Sequence, residues 1–278
     1  MKFFAEEHRK NLVVSVVGDE SLHRFWITGK NRTWDLMLLY YGDKKNKYIR
    51  ECEFYEEIKG KFKLETIHDA IQRNIDIIKR YEYIWLPDHD MKTGTLQINR
   101  LFDLARGYKL DLSQPALRSG INHKITACQP GCLLRYTNFV EMGCPLFKAD
   151  LLSEVLPFFV LIRSGWGIDL LWSRYCEDHK KIMAIIDAVC IDHFRKRVSR
   201  SPYYQNLEKL GIDPNAEEAH LVKKYGLKLT RIEYGRIQYP LVTRVMKGIC
   251  FWTRFWIWTI PHIPYYIIKR CRRLLNIR

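Results

Sequence analysis

Two carboxylates spaced two residues apart, Asp88 and Asp90, follow the apolar run Tyr83 to Leu86, with Pro87 just before the first. The run reads as a short buried strand, and uncompensated charge beside a core is costly, so the pair calls for a neutralising partner. A divalent cation is the natural one. Carboxylate oxygens suit Mg or Mn, and such an ion can also hold the phosphates of a substrate. The same residues fit a Pro-Asp turn with solvated acids, so the choice depends on the rest of the chain. Other chemistry-bearing residues recur where apolar runs stop. Gly18-Asp19 and Gly42-Asp43 close two early runs, and Asp192-His193 closes a late one. Glu141 lies in the loosely alternating Thr137 to Phe147 stretch, and Asp169 in a glycine-flanked turn, Ser164-Gly165-Trp166-Gly167-Ile168-Asp169.

The elements that must position these residues are legible from the spacing of apolar positions. Asn11 to Val17 reads as a buried first strand, and Leu36 to Tyr41 as a second, with a helix or irregular crossover in His23 to Thr33 between them. Two apolar strands joined by a crossover favour a parallel sheet. After the basic turn Lys59-Gly60-Lys61-Phe62-Lys63, a helix is expected from about Leu64 to Arg80, with Ile67, Ile71, Ile75 and Ile78 as its apolar stripe. The Tyr83 to Leu86 strand follows. This order is the opening of a nucleotide-binding α/β domain, where ligands sit beyond the carboxyl ends of strands, the places that Gly18, Asp43 and the Asp88/Asp90 pair occupy. Further on, helices are expected over Gly94 to Arg106, over Asp150 to Ile162 with a kink at Pro157, and over Leu170 to Tyr175. A short strand is expected over Asp111 to Leu117, and the strongest late strand over Lys181 to Ile191.

A chain of 278 residues can hold one substantial α/β domain with an appendage. The reading is a catalytic-type domain over residues 1–200, a helical connector over 201–238 and an amphipathic, basic aromatic appendage over 239–278. With 47% hydrophobic and 28% charged residues, the chain should fold rather than stay disordered. Its formal net charge of +15 implies an anionic partner: a phosphorylated substrate, a nucleic acid or an acidic membrane surface. The basic residues gather in a Trp-rich tail rather than across a domain face, which disfavours nucleic acid. In that tail Arg244, Lys247 and Arg254 share one helical stripe while Ile249, Trp252, Trp256 and Ile260 face elsewhere, a pattern suited to the headgroup region of an anionic membrane surface. The apolar run Ile249 to Ile263 is broken by Arg254 and Pro261 and is too short for a span of about 20 residues. Eight cysteines lie without a disulfide-framework spacing, and the N-terminus lacks a signal-peptide apolar region, so unpaired thiols in a reducing cytoplasm are expected, Cys128 and Cys132 among them.

Five segments occur in order: YEYIWLPDHD, LDLSQPALRSGINHKITA, FVEMGCPLF, SGWGIDLLWSRYC and IIDAVCIDH. Together they resemble a family of predicted glycosyltransferases, long recorded only as a domain of unknown function, related to the GT-A nucleotide-sugar transferases. The resemblance covers Asn11 to Phe194. The chain departs from the family at His89, where an acid usually stands between the two aspartates, and at Phe194-Arg195, where a glycine usually follows the late histidine.

The resemblance implies a GT-A-like (Rossmann-like) α/β fold, with a mixed, mostly parallel sheet flanked by helices. It implies a metal-dependent transferase with a nucleotide-diphosphate sugar as donor and Mn or Mg as cofactor. Asp90 would bind the metal directly, Asp88 would contact ribose or metal, and His193 would be a further ligand. Asp169 would be the base that activates the acceptor; its other reading is a helix N-cap. Glu141 would be the alternative base or a sugar-hydroxyl contact. Asp43 would face the nucleobase, Gly18 would border the donor, and Lys59 or Lys61 would meet phosphate. A glycan or lipid-linked acceptor and a peripheral position on the cytoplasmic face of a membrane complete the expectation. Two other classes compete: a metal-dependent phosphohydrolase or nuclease, for which the clustered acids are few, and a non-catalytic nucleic-acid binder.

Overall fold

A computed structural model describes residues 2–3, 8–60, 62–194 and 202–240. In chain order the elements are β1 (Lys2–Phe3), β2 (Asn11–Val17), α1 (His23–Trp26), β3 (Trp34–Tyr40), β4 (Phe54–Glu57), α2 (Lys63–Arg73), α3 (Ile75–Ile78), β5 (Tyr83–Trp85), β6 (Met91–Lys92) and α4 (Thr95–Gly107). There follow β7 (Leu112–Ser119), β8 (Cys132–Thr137), β9 (Leu146–Lys148), α5 (Ala149–Val155), α6 (Ile168–Asp178), β10 (Met183–His193), α7 (Pro202–Lys209), α8 (Pro214–Tyr225) and β11 (Glu233–Gln238). Short 3-10 turns occupy Lys124–Thr126 and Leu156–Val160.

All the strands join one sheet in the order β1-β4-β3-β2-β5-β9-β7-β10-β8-β11, with β6 paired to β10. β4, β3, β2 and β5 are parallel, as are β7 and β10; β9, antiparallel to both β5 and β7, joins the two parallel groups. Alternate residues of a strand face opposite sides, and here both sides are covered. Leu12, Val14, Met37 and Leu39 pack into a core with Ile67 and Ile71 of α2 and with Leu171 and Trp172 of α6. Val13, Val17, Leu36 and Leu38 pack with Trp26 of α1 and with Ile98, Leu101 and Phe102 of α4. The continuous apolar runs of β2 and β3 follow from that double burial.

Three expectations need correction. The helix expected over Leu64 to Arg80 is broken at Asn74, whose φ of −126° is non-helical and whose side-chain amide donates to the Ala70 carbonyl at 2.7 Å. Within the expected helical connector, α7 and α8 are helices, but Glu233–Gln238 is a strand that pairs antiparallel with β8. Its alternating exposure, with Tyr234 outward, is the period of a sheet edge. Cys128 is also not an unpaired thiol: it forms a disulfide with Cys190 of β10, across a sequence separation of 62 residues. Cys52, Cys132, Cys144 and Cys176 are free and buried.

Candidate active site

Asp88 and Asp90 stand just past the carboxyl end of β5, and His193 is the last residue of β10, its neighbour but two in the sheet. The hairpin-like pairing of His193 with Met91 and of Asp192 with Lys92 draws the two ends together. One ligand atom from each of Asp88, Asp90 and His193 lies within 4.8 Å of the others. The imidazole Nε2 of His193 is 3.2 Å from Asp90 Oδ1 and 4.0 Å from Asp88 Oδ2. Ligands about 2.0–2.2 Å from a shared ion lie ~3–4.4 Å from each other, so these separations fit one ion. Two carboxylates and a neutral imidazole suit Mn or Mg with waters in the remaining positions.

Tertiary contacts supply part of the compensation that the acid pair demanded. The Lys63 ammonium, at the start of α2, is 2.5 Å from Asp88 Oδ1 and donates to the Met142 carbonyl at 3.0 Å. Burial pushes the Asp90 carboxyl up, but the hydrogen bond and charge of His193, with the charge of His89, outweigh it and hold its pKa below the ordinary carboxylate value. His89 points its ring edge-on to Tyr41, at 6.3 Å between centroids. Tyr41 lies over Gly18, where a Cβ would come within 2.6 Å of the phenol oxygen. A side chain at Gly18 would thus displace the tyrosine that walls this side of the site.

Asp169 enters from the other side. The N-cap of α6 is Gly167, so Asp169 is the second residue of the helix and not its cap. Its carboxylate accepts from the Leu170 amide at 3.0 Å and from the backbone of Met142. Burial raises its pKa from 3.8 to about 6, against the opposing charge of Arg231. The turn before α6 sits against Met142 because Gly165, at φ +75°, has no side chain; a Cβ there would lie 2.4 Å from the Met142 sulfur. Met142 therefore ties Asp169 to Lys63 and, through it, to Asp88. Glu141, one residue earlier, is buried, and its Oε2 is 3.4 Å from the Thr126 hydroxyl. A Cβ on Gly143 would sit 3.1 Å from Glu141 Oε1 and 3.5 Å from Asp88 Oδ2, so the two carboxylates flank the same glycine.

Asp88, Asp90, His193, Glu141 and Asp169 are thus gathered around one end of the sheet, with Gly18 at the border. Asp43 is not: its carboxylate is 95% exposed and paired with Lys59 at 3.1 Å. The carboxylate that binds into the fold there is Asp19, which accepts from Tyr40 and Lys47, both at 2.7 Å. Lys61 lies outside the described residues. The spacing of residues pointed to neither Lys63, counted only as part of a basic turn, nor Tyr41, Tyr203 and Arg231. Tyr203 donates to the Ser164 carbonyl in the turn before α6, and its phenol feels the Asp88 charge.

The overall fold is shared with solved structures. The chain has a GT-A-like fold. It superposes on the solved structure of GalNAc-T7 with UDP, GalNAc and Mn2+ at a TM-score of 0.53 and 12% identity, over 79% of this chain and 48% of that one. The chain spans about half the length of that protein. A protein from Desulfovibrio desulfuricans G20, described as a candidate nucleotide-diphospho-sugar transferase, matches at a TM-score of 0.39 and 11% identity, over 76% of this chain and 98% of that one. Residues 7–134 match the sequence model of a family described as a protein of unknown function (DUF707). No curated protein matches the chain.

Proposed function

We propose that this protein is a metal-dependent glycosyltransferase that uses a nucleotide-diphosphate sugar. The observation that carries the reading is the Asp88, Asp90 and His193 set at the carboxyl ends of β5 and β10. In an open α/β sheet that edge is where a ligand meets the strands. The likeness in fold to a transferase solved with UDP and Mn2+ supports the same choice.

In this reading Asp88, Asp90 and His193 hold Mn or Mg, which when bound neutralises charge developing on the leaving diphosphate. Lys63 fixes the rotamer of Asp88 and adds a positive charge on the same side. Tyr41 closes the donor side over Gly18. Asp169 takes the proton of the acceptor hydroxyl, a role that a carboxylate with a pKa near 6 fills at neutral pH while remaining a better base than a solvated one. Glu141 is placed to meet a sugar hydroxyl or to share that role. The tail over residues 239–278, most of it outside the described residues, would hold the enzyme at an anionic membrane surface, where a lipid-linked acceptor would be within reach.

A panel of nucleotide sugars screened by thermal shift with Mn tests the reading. One nucleotide family should stabilise the chain in a Mn-dependent way and release nucleoside diphosphate on incubation. Stabilisation by none of the panel, with or without Mn, would overturn it.

A further inference from the structure

The segment that follows β7 runs from the metal-ligand cluster to Glu141 and then away from both. Gly120, at φ +65°, sits against His193: a Cβ there would lie 2.5 Å from the His193 carbonyl oxygen. Six residues on, Thr126 meets Glu141. Between them, residues 122–125 form a wall of a cleft of about 470 Å³ that Gln129, Arg135, Arg231 and Glu233 also line. That volume matches the size of a saccharide site.

The cleft is built on a fixed floor. Buried Arg135 pairs with Asp187 at 2.8 Å and donates to the Ile125 and Ala127 carbonyls, both at 2.8 Å, which holds the wall in place. The Cys128–Cys190 bond ties the same loop to β10. Phe139, buried beneath, has the His123 ring edge-on at 4.8 Å and the Arg231 guanidinium over its face at 4.4 Å. Arg231 is therefore held by an aromatic face and by the Leu229 carbonyl, to which its Nη1 donates at 3.4 Å.

The charges facing the cleft do not cancel. Arg135 is neutralised by Asp187, and Glu233 pairs with Arg236 at 2.6 Å. Lys124 and Arg231 have no ion-pair partner among the described residues. The loop that lines the cleft also reaches the site, through Gly120 against His193 and Thr126 against Glu141, and the charge of Arg231 acts on Asp169.

We propose that this cleft is the acceptor subsite and that it takes a saccharide bearing an oxyanion, with Arg231 and Lys124 as the groups that hold the charge. The inference rests on the transferase reading above. A planar guanidinium binds phosphate or carboxylate through two parallel hydrogen bonds, and a lysine adds a point charge. Phosphate and uronate carboxylate share that chemistry.

The test uses the full chain, saturated with Mn and with the nucleoside diphosphate that gives the largest thermal shift, so that the donor side is filled. Glucose 1-phosphate, methyl glucuronide and methyl glucoside are then titrated by ligand-observed NMR. The phosphate, the carboxylate or both should bind at least about tenfold more tightly than the neutral glycoside, and which of them does so identifies the source of the charge. Arg231→Gln and, separately, Lys124→Gln should each remove about tenfold of that preference and leave nucleotide affinity unchanged. Equal binding of all three probes, or a preference untouched in both variants, would overturn the inference. Failure of any nucleoside diphosphate to bind the unaltered chain with Mn would instead reject the transferase reading on which it stands.

Discussion

Asp169→Asn should make the protein more stable and less active, and the gain should depend on pH. The Asp169 carboxyl is raised from 3.8 to about 6 by burial, a shift of about two units. Each unit is worth about 1.4 kcal/mol, so ionising this group in the folded state costs at most ~3 kcal/mol. The side chain keeps some contact with solvent, and screening trims the expected value to about 1–3 kcal/mol. The sign follows from proton linkage. Between pH 3.8 and about 6 the unfolded chain releases this proton while the folded chain keeps it, so stability falls as pH rises through that window. Above about pH 7 the full penalty is present; below about pH 4 it is absent. Asparagine carries no charge, and its side-chain oxygen can keep the hydrogen bond from the Leu170 amide. Urea unfolding of both proteins at pH 5 and pH 8 measures the difference. Asp169→Asn should gain most at pH 8, while transfer falls about 10²–10⁴-fold, as expected for loss of a general base. A variant less stable than the wild type at pH 8, or a gain equal at both pH values, would refute the burial argument. Near-normal transfer would remove Asp169 as the base.

Asp90→Ala should fold and lose Mn-dependent binding of nucleoside diphosphate, measured by calorimetry; unchanged affinity would remove the metal site. In the wild type, transfer should rise with pH through about 6 as Asp169 ionises, and a profile flat across that range would count against its role. Arg135→Met should cost about 3–5 kcal/mol in urea unfolding, because it leaves Asp187 charged and buried without its partner; a cost under 1 kcal/mol would mean that the pair does not anchor the loop. The full chain should float with anionic liposomes and not with neutral ones, and a chain ending at Gln238 should do neither; if the full chain stays soluble with both, the membrane reading fails.

Apolar periodicity suffices where an element is buried on both faces. β2, β3, β5 and β10 were expected within a few residues of where they lie, because strands buried on both faces are continuous apolar runs that end where glycine or charge begins. The break at Asn74 was missed because the isoleucine stripe continues across it: Ile75 and Ile78 belong to a separate turn that keeps nearly the same face. β11 was missed because an edge strand needs only one covered side, and the half-buried positions of Glu233–Gln238 are Glu233, Gly235 and Ile237, of which only the last is apolar.

For the site, the sequence by itself determined which side chains could do chemistry and that several stand at strand ends. It placed Asp88, Asp90 and His193 at the carboxyl ends of two strands, since charge without a partner is costly inside a run that is buried on both faces. Only the tertiary structure decided which of those ends meet. The insertion of β9 between β5 and β7, and the pairing of β6 with β10, bring residues 88 and 193 together across more than a hundred positions. Strand order is set by packing among distant elements, and no local spacing encodes it. The same holds for Lys63 on Asp88, for Met142 between Lys63 and Asp169, and for Cys128 on Cys190, each made by the close approach of segments far apart in the chain. Asp43 shows the converse: its position at a strand end was legible, but which way its carboxylate turns was fixed by Lys59 and by the solvent around it.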